Sequence, residues 1–230
     1  MKARVKRLIL FDIDGTLLSA GRSGHFALEQ ATREILQRPL GLKGINLAGN
    51  TDRNVLHEIC HRDSIPIPDE ETISRFIDRY AEILEASIAD KGALMPGVTE
   101  LLTDLKQRET VEIGLVTGNF EEGAWIKLRR FGLDQFFSFG GFGGEHPLRS
   151  ELVRLARQRA EERRGHPYSP EEVIMIGDTV ADVAACRPWN IRCLALETGG
   201  QDARMLSEAG AAWVMKDFAD TAEVLERLLG

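Results

Sequence analysis

Two carboxylates directly follow a short apolar run near the start of the chain, in the segment LILFDIDGT (8–16). The apolar part is too short for a helix and is typical of a buried parallel strand. Side chains two residues apart on a strand share a face, so Asp12 and Asp14 are expected to converge just beyond the strand. Carboxylates beside a buried strand are costly unless a cation or hydrogen bonds hold them. We therefore favour a metal or phosphoryl site here over a solvated acidic turn.

Two later segments, IGLVTGN (113–119) and VIMIGDT (173–179), have the same design of an apolar run, small polar residues and then a helix. Helix N-termini present free N–H groups and a positive dipole end, which suit anions. Thr117 adds a hydroxyl that can donate to a phosphate oxygen, and Asp178 adds a third carboxylate. Asp182 follows one helical turn later. Ligands of this kind, all oxygen, suit Mg²⁺.

A phosphate group held beside several carboxylates needs a positively charged side chain to offset its charge. Arg149 is the best candidate because it opens a predicted helix after the glycine-rich loop GGFGGEHP (140–147). Lys127 is the alternative, but it lies in the middle of a predicted helix and is expected to be badly placed.

The segments that carry these side chains alternate between strand and helix, which predicts an α/β fold with a doubly wound, mostly parallel sheet. The region between the first strand and residue 93 breaks this alternation, because it predicts helices and no convincing strand. We expect an inserted all-helical cap domain at 19–93 and a core domain made of 1–18 and 94–230. The predicted cap helices are 25–36, 52–61 and 69–88. The predicted core strands are 8–11, 111–116, 136–139, 173–176, 191–196 and 211–214.

Composition limits the classes of function that the chain can have. With 230 residues, 43% of them hydrophobic, it can bury a sizeable core. A net charge of -7 without a large basic block disfavours nucleic acid as a partner. Its apolar runs are too short for a signal peptide or a membrane span, and its three cysteines lack CxxC spacing. We expect a cytoplasmic protein with reduced thiols, either a monomer or a homodimer.

The motifs together resemble those of the haloacid dehalogenase-like hydrolase superfamily, and most of all its phosphoglycolate phosphatase-like branch. The resemblance rests on DIDGT (12–16), TGN (117–119), Arg149 and GDTVAD (177–182). It covers essentially the whole chain, since the helical insert falls where that family places its cap. It implies a Rossmann-like core with a helical cap and a Mg²⁺-dependent phosphatase activity.

The same resemblance implies roles for the acidic residues. Asp12 would be the nucleophile that becomes an aspartyl-phosphate. Asp14 would protonate the leaving oxygen and then act as the base for the water that cleaves the intermediate. Mg²⁺ would be bound by Asp12, the main-chain carbonyl of Asp14, and Asp178. Asp182 would support the site directly or through water.

The phosphoryl group has its own implied contacts. Thr117 and the amide of Gly118 or Asn119 would bind its oxygens. Arg149 would fill the third motif of the family, where a lysine is more usual. This departure is why Lys127 stays an alternative.

The expected substrate is a small phosphorylated metabolite, with 2-phosphoglycolate as the leading guess, although the sequence does not identify it. The acid at Asp14 disfavours dehalogenase and phosphonatase chemistry. A sugar phosphomutase or a nucleotidase of the same superfamily remains an alternative, as does a non-catalytic binding protein on this fold. A mutase-like cap would carry an arginine where this chain has Asp52. Thr51, Asp52 and Arg53 are candidate substrate contacts in the cap, or equally a helix cap with a solvated charge pair.

Overall fold

The computed structural model describes residues 7–88 and 92–230, so residues 1–6 and 89–91 of the two predicted domains lie outside the described part of the chain. The strands are β1 (Arg7–Phe11), β2 (Leu18–Ser19), β3 (Ala93–Leu94), β4 (Val111–Thr117), β5 (Gly140–Phe142), β6 (Val173–Gly177), β7 (Arg192–Leu196) and β8 (Trp213–Met215). The α-helices are α1 (Ser23–Glu34), α2 (Asp52–Arg62), α3 (Glu70–Ser87), α4 (Val98–Gln107), α5 (Glu121–Arg130), α6 (Arg149–Arg164), α7 (Val180–Cys186), α8 (Ala203–Glu208) and α9 (Thr221–Leu229).

Six strands form one parallel sheet in the order β5-β4-β1-β6-β7-β8. From the central strand β1 the chain goes first to β4 and β5 on one side, and later to β6, β7 and β8 on the other. The winding therefore reverses beside β1, between β4 and β6. In open α/β sheets, ligands bind outside the carboxyl ends of the strands at such a reversal. The sheet confirms the predicted doubly wound fold.

The two faces of β1 enter separate hydrophobic clusters. Ile9 and Phe11 belong to one cluster, which includes buried side chains of α4 and α9. Leu8 and Leu10 belong to the other, which includes buried side chains of α6 and α7. All four side chains are fully buried, and burial of such a side chain stabilises the fold by roughly 1.5–3 kcal/mol. This double burial explains why the strand reads as an uninterrupted apolar run.

The insert between β2 and β3 consists of α1, α2 and α3, in agreement with the predicted helical cap. Asp69 begins α3 by accepting the N–H of Thr72 at 2.9 Å, as expected of a helix cap. The buried side chains of α3 recur at helical spacing, at Ile73, Phe76, Tyr80 and Leu84. The exact division into domains at 18/19 and 93/94 stays a prediction.

The connections between the insert and the core depart from the expectation that residues 19–93 contain no strand. Leu18 pairs with Leu94 and Ser19 with Ala93, in antiparallel orientation. A pair of two-residue strands is too short to show any alternation of apolar and polar residues, so the sequence pattern could not reveal it.

The strand predicted at 136–139 is wrong. A 3-10 turn occupies Asp134–Phe136, and the edge strand β5 follows at Gly140–Phe142. Glycine has little strand propensity, which hid β5. The structure nevertheless requires a glycine at position 141, because a Cβ on Gly141 would lie 2.1 Å from the carbonyl oxygen of Leu152.

Two further expectations concern the whole chain. None of the helices in the described ranges combines the length and the hydropathy needed to cross a bilayer. The thiols of Cys60, Cys186 and Cys193 are free and buried, as their spacing predicts.

Candidate active site

The carboxyl ends of β1 and β4 and the start of α7 open into a cavity of about 210 Å³ beneath the helical insert. Its walls come from both parts of the molecule. The core side includes Asp12, Asp14 and Thr117, and the insert side includes Arg22, Asp52 and Tyr80. The residues that the sequence predicts for nucleophile, acid and phosphate binding therefore face one cavity together with helices of the insert.

Three buried carboxylates, those of Asp12, Asp178 and Asp182, lie close together on the core side. Each offers an oxygen within 4.8 Å of the others. Asp178 accepts the hydroxyl of Thr16 at 2.9 Å. Asp182 accepts the N–H and the hydroxyl of Thr179, at 3.0 and 2.6 Å, in a capping box that begins α7. A local cap therefore fixes Asp182, and a bond from a distant segment of the chain fixes Asp178.

Gly15 is required for the chain to pass this cluster. Its φ of +84° is unfavourable for residues with a side chain. A Cβ there would lie 2.4 Å from an oxygen of Asp178. The glycine of the DIDGT segment thus makes room for an acid that is 163 residues further along the chain.

Arg149, the first residue of α6, joins two of the three acids. Its guanidinium donates to Oδ1 of Asp12 at 2.7 Å and to Oδ1 of Asp182 at 2.8 Å. Burial raises the pKa of Asp12 against the opposing effect of Arg149, and Asp182 and Asp14 raise it further. Burial raises the pKa of Asp178 as well, followed by the charges of Asp12 and Asp182.

The acid cluster fits a divalent cation. Arg149 offsets part of the charge of three carboxylates, and burial together with the repulsion that remains raises the pKa values of Asp12 and Asp178. A bound cation would relieve this repulsion. The donor set consists of oxygen atoms, which suits Mg²⁺. Asp14, which is also a predicted ligand, would contribute its main-chain carbonyl to the metal. Its carboxylate lies outside this cluster of three acids.

That carboxylate belongs to a second cluster, which also contains Asn119 and Lys127. Oδ2 of Asp14 accepts from Nζ of Lys127 at 2.5 Å and from Nδ2 of Asn119 at 2.7 Å. Nζ of Lys127 also donates to Oδ1 of Asn119 at 2.7 Å. The side chain of Lys127 is 4% exposed, whereas that of Asp14 is 43% exposed. Lys127 therefore holds Asp14 at the edge of the cavity.

The expectation that Lys127 is badly placed is wrong. It does lie in the middle of a helix, as predicted, but its ammonium group reaches Asp14 and Asn119. The long apolar stem of a lysine lets its ammonium group reach past the helix surface. Arg149 and Lys127 consequently both reach the site, at different acids.

Thr117 is the last residue of β4, and Gly118 and Asn119 follow it in the turn that leads to α5. The hydroxyl of Thr117 accepts from Nδ2 of Asn119 at 2.7 Å. Gly118 lies against the insert, since a Cβ there would approach the carbonyl oxygen of Asn50 to 2.1 Å. The predicted phosphate-binding segment TGN therefore lies in the cavity wall, where the core and the insert meet.

Thr51 and Arg53 join the insert to the core. Thr51 begins α2 by accepting the N–H of Asn54 at 3.2 Å, and its hydroxyl donates to the carbonyl of Pro147 at 3.0 Å. Arg53 donates to the carbonyl of Gly144 at 3.0 Å. Their contacts with substrate stay a prediction, and neither residue lines the cavity.

Asp52 is buried between the two parts and does line the cavity. Its carboxylate accepts the N–H of Phe120 at 2.8 Å, and its own N–H donates to the carbonyl of Gly118 at 2.7 Å. Burial raises the pKa of Asp52 to about 7, although the bond from Phe120 opposes the change. Asp52 therefore links the insert to the turn that carries Thr117.

Tyr80 is a cavity residue that sequence reasoning missed. Its side chain is fully buried, its ring packs against Phe120, and its hydroxyl has no hydrogen-bond partner within residues 7–88 and 92–230. Burial raises the pKa of Tyr80 well above its usual value, and Asp52 and Asp14 raise it further. The hydroxyl thus keeps its proton. The sequence did contain a signal for it, because a tyrosine with a polar hydroxyl stands among the apolar residues that recur at helical spacing in α3.

Comparisons with known proteins agree with this geometry. A model of haloacid dehalogenase-like hydrolases matches residues 6–188. The chain is 25% identical to a phosphoglycolate phosphatase of Pseudomonas putida over 92% of this chain and 77% of the relative. It is 26% identical to phosphoglycolate phosphatase 1 of Pseudomonas aeruginosa, over 94% of this chain and 79% of the relative.

Solved structures show the same fold. A hydrolase from Pseudomonas syringae has a TM-score of 0.70 at 23% identity, covering 98% of this chain and 100% of that one. A Bacteroides vulgatus protein provisionally described as a β-phosphoglucomutase has a TM-score of 0.71 at 18% identity, covering 98% and 90%. At these identities the likeness concerns the fold, a parallel α/β core with a helical cap.

Proposed function

We propose that this protein catalyses a phosphatase reaction. The premise is that the chain belongs to the haloacid dehalogenase-like hydrolase family. The match to the family model and the phosphoglycolate phosphatase relatives confirm the predicted branch and an enzyme that hydrolyses phosphoric monoesters. The proposal adds a mechanism, a metal and a substrate. One observation supports the proposal most. Asp12 and Asp14 face the same small cavity, and each is paired with a different basic side chain, Arg149 for Asp12 and Lys127 for Asp14.

Asp12 is the proposed nucleophile. Arg149 binds its Oδ1, so Oδ2 is the oxygen that attacks phosphorus. The bond between phosphorus and the leaving oxygen breaks, and Asp14 gives that oxygen a proton. In the second half of the reaction Asp14 takes a proton from a water molecule, which attacks the aspartyl-phosphate and releases inorganic phosphate. Lys127 and Asn119 hold Asp14 in place for both transfers.

Thr117 and Asn119 are the proposed contacts to the phosphoryl oxygens. Because the hydroxyl oxygen of Thr117 already accepts from Asn119, its proton is free to donate to a phosphate oxygen. The amide of Gly118 or Asn119 is the second proposed donor, and Arg149 supplies positive charge from the side of Asp12. These donors act on the charge that develops during transfer.

Mg²⁺ is the proposed metal, held by Asp12, Asp178 and the main-chain carbonyl of Asp14, with Asp182 in support. When bound, it supplies the positive charge that lets a carboxylate approach a phosphate dianion. Hydrogen bonds within the chain hold the carboxylates in place for the metal. Thr16 holds Asp178, and Thr179 and Arg149 hold Asp182.

The proposed substrate is a small phosphomonoester, with 2-phosphoglycolate first. The names of the relatives support this choice. A cavity of about 210 Å³ suits a metabolite of few atoms better than a nucleotide. A phosphomutase is the second candidate, because a fold neighbour is provisionally described as one. Asp52 disfavours it, since a mutase-like cap would carry an arginine there.

The test is a panel of phosphorylated metabolites, assayed with and without Mg²⁺ for both phosphate release and isomerisation. We expect phosphate release that requires Mg²⁺ and is fastest with a two- or three-carbon ester. Isomerisation of a sugar phosphate without release of phosphate would favour the mutase. A protein that binds Mg²⁺ but turns over no phosphoester would contradict both candidates.

A further inference from the structure

Asp52, at the start of α2, contacts the core on both sides of Asn119. Its backbone N–H donates to the carbonyl of Gly118 at 2.7 Å, and Oδ2 of its carboxylate accepts the N–H of Phe120 at 2.8 Å. These two groups belong to the peptide units that flank Asn119, so the insert holds this residue by its main chain. Asp52 and Asn119 are each 8% exposed, and burial strengthens such bonds.

Asn119 in turn uses its whole side-chain amide to organise the proposed acid. Nδ2 donates both of its protons, to Oδ2 of Asp14 and to the hydroxyl oxygen of Thr117, each at 2.7 Å. Oδ1 accepts from Nζ of Lys127 at 2.7 Å. Since Asp14 is 43% exposed and is held by Asn119 and Lys127, a shift of Asn119 would carry the carboxylate of Asp14 with it.

The carboxylate of Asp52 also reaches the start of α5, the helix that carries Lys127. Phe120 is the residue that precedes this helix, and its own side chain makes no cap bond. Asp52 therefore fixes the entry into α5 from the insert. Both groups that hold Asp14, the amide of Asn119 and the ammonium of Lys127, follow from the main chain that Asp52 holds.

We propose that Asp52 is a positioning residue for the general acid, since it fixes Asn119 and Phe120 and through them the carboxylate of Asp14. The inference rests on the proposed phosphatase function and adds to it a residue of the insert that acts through the core. This role differs from direct contact with substrate, which is the role predicted from the sequence. It has a specific consequence, because loss of the acid slows only those esters whose leaving oxygen needs a proton.

The test compares two esters whose leaving groups differ in basicity. The alkoxide released from 2-phosphoglycolate is strongly basic, whereas the phenolate released from 4-nitrophenyl phosphate is stable without a proton. The quantity measured is kcat/KM with Mg²⁺, because it reports the steps up to departure of the leaving group and excludes hydrolysis of the aspartyl-phosphate. The two values come from one preparation, so a partly unfolded sample lowers both equally and cannot imitate a selective loss.

Asp52→Ala removes the bond to Phe120 and keeps the backbone bond to Gly118. We expect kcat/KM for 2-phosphoglycolate to fall roughly a hundredfold, the cost of misplacing a reacting group by about 1 Å. The value for 4-nitrophenyl phosphate should change less than about threefold, because its leaving group needs little proton transfer. Asp52→Asn keeps an acceptor oxygen for the N–H of Phe120 and should restore most of the activity towards 2-phosphoglycolate.

Asp69→Ala is the matched control, the same substitution at another acid that begins a helix of the insert. The exposed Asp69 accepts the N–H of Thr72 at 2.9 Å at the start of α3. This variant should lower thermal stability and leave both kcat/KM values unchanged.

The route through Asn119 has its own test. In an Asn119→Ala background, Asp52→Ala should cause little further loss with 2-phosphoglycolate, because the connection to Asp14 is already broken. Losses that multiply would overturn the inference.

Two further outcomes separate the inference from the function on which it rests. If Asp52→Ala lowers kcat/KM for both esters equally, or for neither, the positioning role is wrong and the phosphatase proposal stands. If the wild type hydrolyses neither ester in the presence of Mg²⁺, both are wrong.

Discussion

The core wall of the cavity is cross-linked by its own side chains, whereas the insert wall keeps several donors without partners. On the core side, Arg149 joins Asp12 to Asp182. The distant Thr16 fixes Asp178, and the neighbouring Thr179 fixes Asp182. On the insert side, the hydroxyl of Tyr80 and the backbone N–H groups of Gly24 and His25 have no acceptor among the described residues. This difference suggests a division of labour. The side chains of the core are fixed before a substrate binds, whereas donors of the insert remain available to bind it.

The largest effect is expected from Asp12→Asn, which removes the proposed nucleophile from the core wall. Phosphate release should fall by roughly six orders of magnitude, as happens when a nucleophile is lost. Initial rates with saturating 2-phosphoglycolate and Mg²⁺ measure it. Asp78→Asn, at an exposed acid on α3, is the control and should keep full activity. Comparable rates in Asp12→Asn and the wild type would contradict the assignment.

Arg149→Lys tests the cross-link itself. A lysine keeps the charge but cannot bridge Asp12 and Asp182 with a planar fork. We expect kcat to fall roughly a hundredfold, the loss typical of a preorganised donor. Arg154→Lys, on the same helix but partly exposed, is the matched control. If both variants keep wild-type kcat, the bridge does not contribute to catalysis.

Asp52→Asn tests the junction of the two walls through pH. In the folded protein the pKa of Asp52 is about 7, above the ordinary value of 3.8. The folded state therefore binds this proton more tightly than the unfolded state, and burial of the charge destabilises the fold increasingly as pH rises towards 7. Relative to Asp52→Asn, the wild type should lose up to about 3 kcal/mol of unfolding free energy between pH 5 and pH 8. Urea unfolding at the two pH values measures this, and parallel profiles would contradict it.

Gly24→Ala sharpens the comparison on the insert side and has the smallest expected effect. The added methyl group would lie 3.1 Å from Nζ of Lys127 and crowd the wall of the cavity between the start of α1 and that lysine. The efficiency kcat/KM for 2-phosphoglycolate should fall roughly fivefold. Thermal stability should stay equal or rise, because alanine favours a helix by about 1 kcal/mol over glycine. Lower stability with unchanged kinetics would indicate a purely structural glycine.

The core wall could be predicted from the sequence because each of its strands is an apolar run that ends in small polar residues. That pattern located Asp12, Thr117 and Asp178, and the order of the strands brought them together. Lys127 was misjudged because the direction of a side chain within a helix depends on how that helix docks. Tyr80 was missed for the same reason, since its periodicity is that of any buried residue.

Two other elements could not be predicted for local reasons. The edge strand β5 consists of two glycines and Phe142, and its position depends on the close approach of α6. The paired connections β2 and β3 are each two residues long. Neither leaves a periodic signal, so tertiary contacts decide both.

The pairing of β2 with β3 has a mechanical consequence. The chain enters and leaves the insert through segments that are hydrogen-bonded to each other, so the two cannot bend independently. If the three helices of the insert move and the hydrogen bonds between β2 and β3 are kept, the two strands must rotate together. Hydrogen bonds join the start of α2 to the core at Thr51, Asp52 and Arg53, and a rotation of the insert away from the core would have to break them.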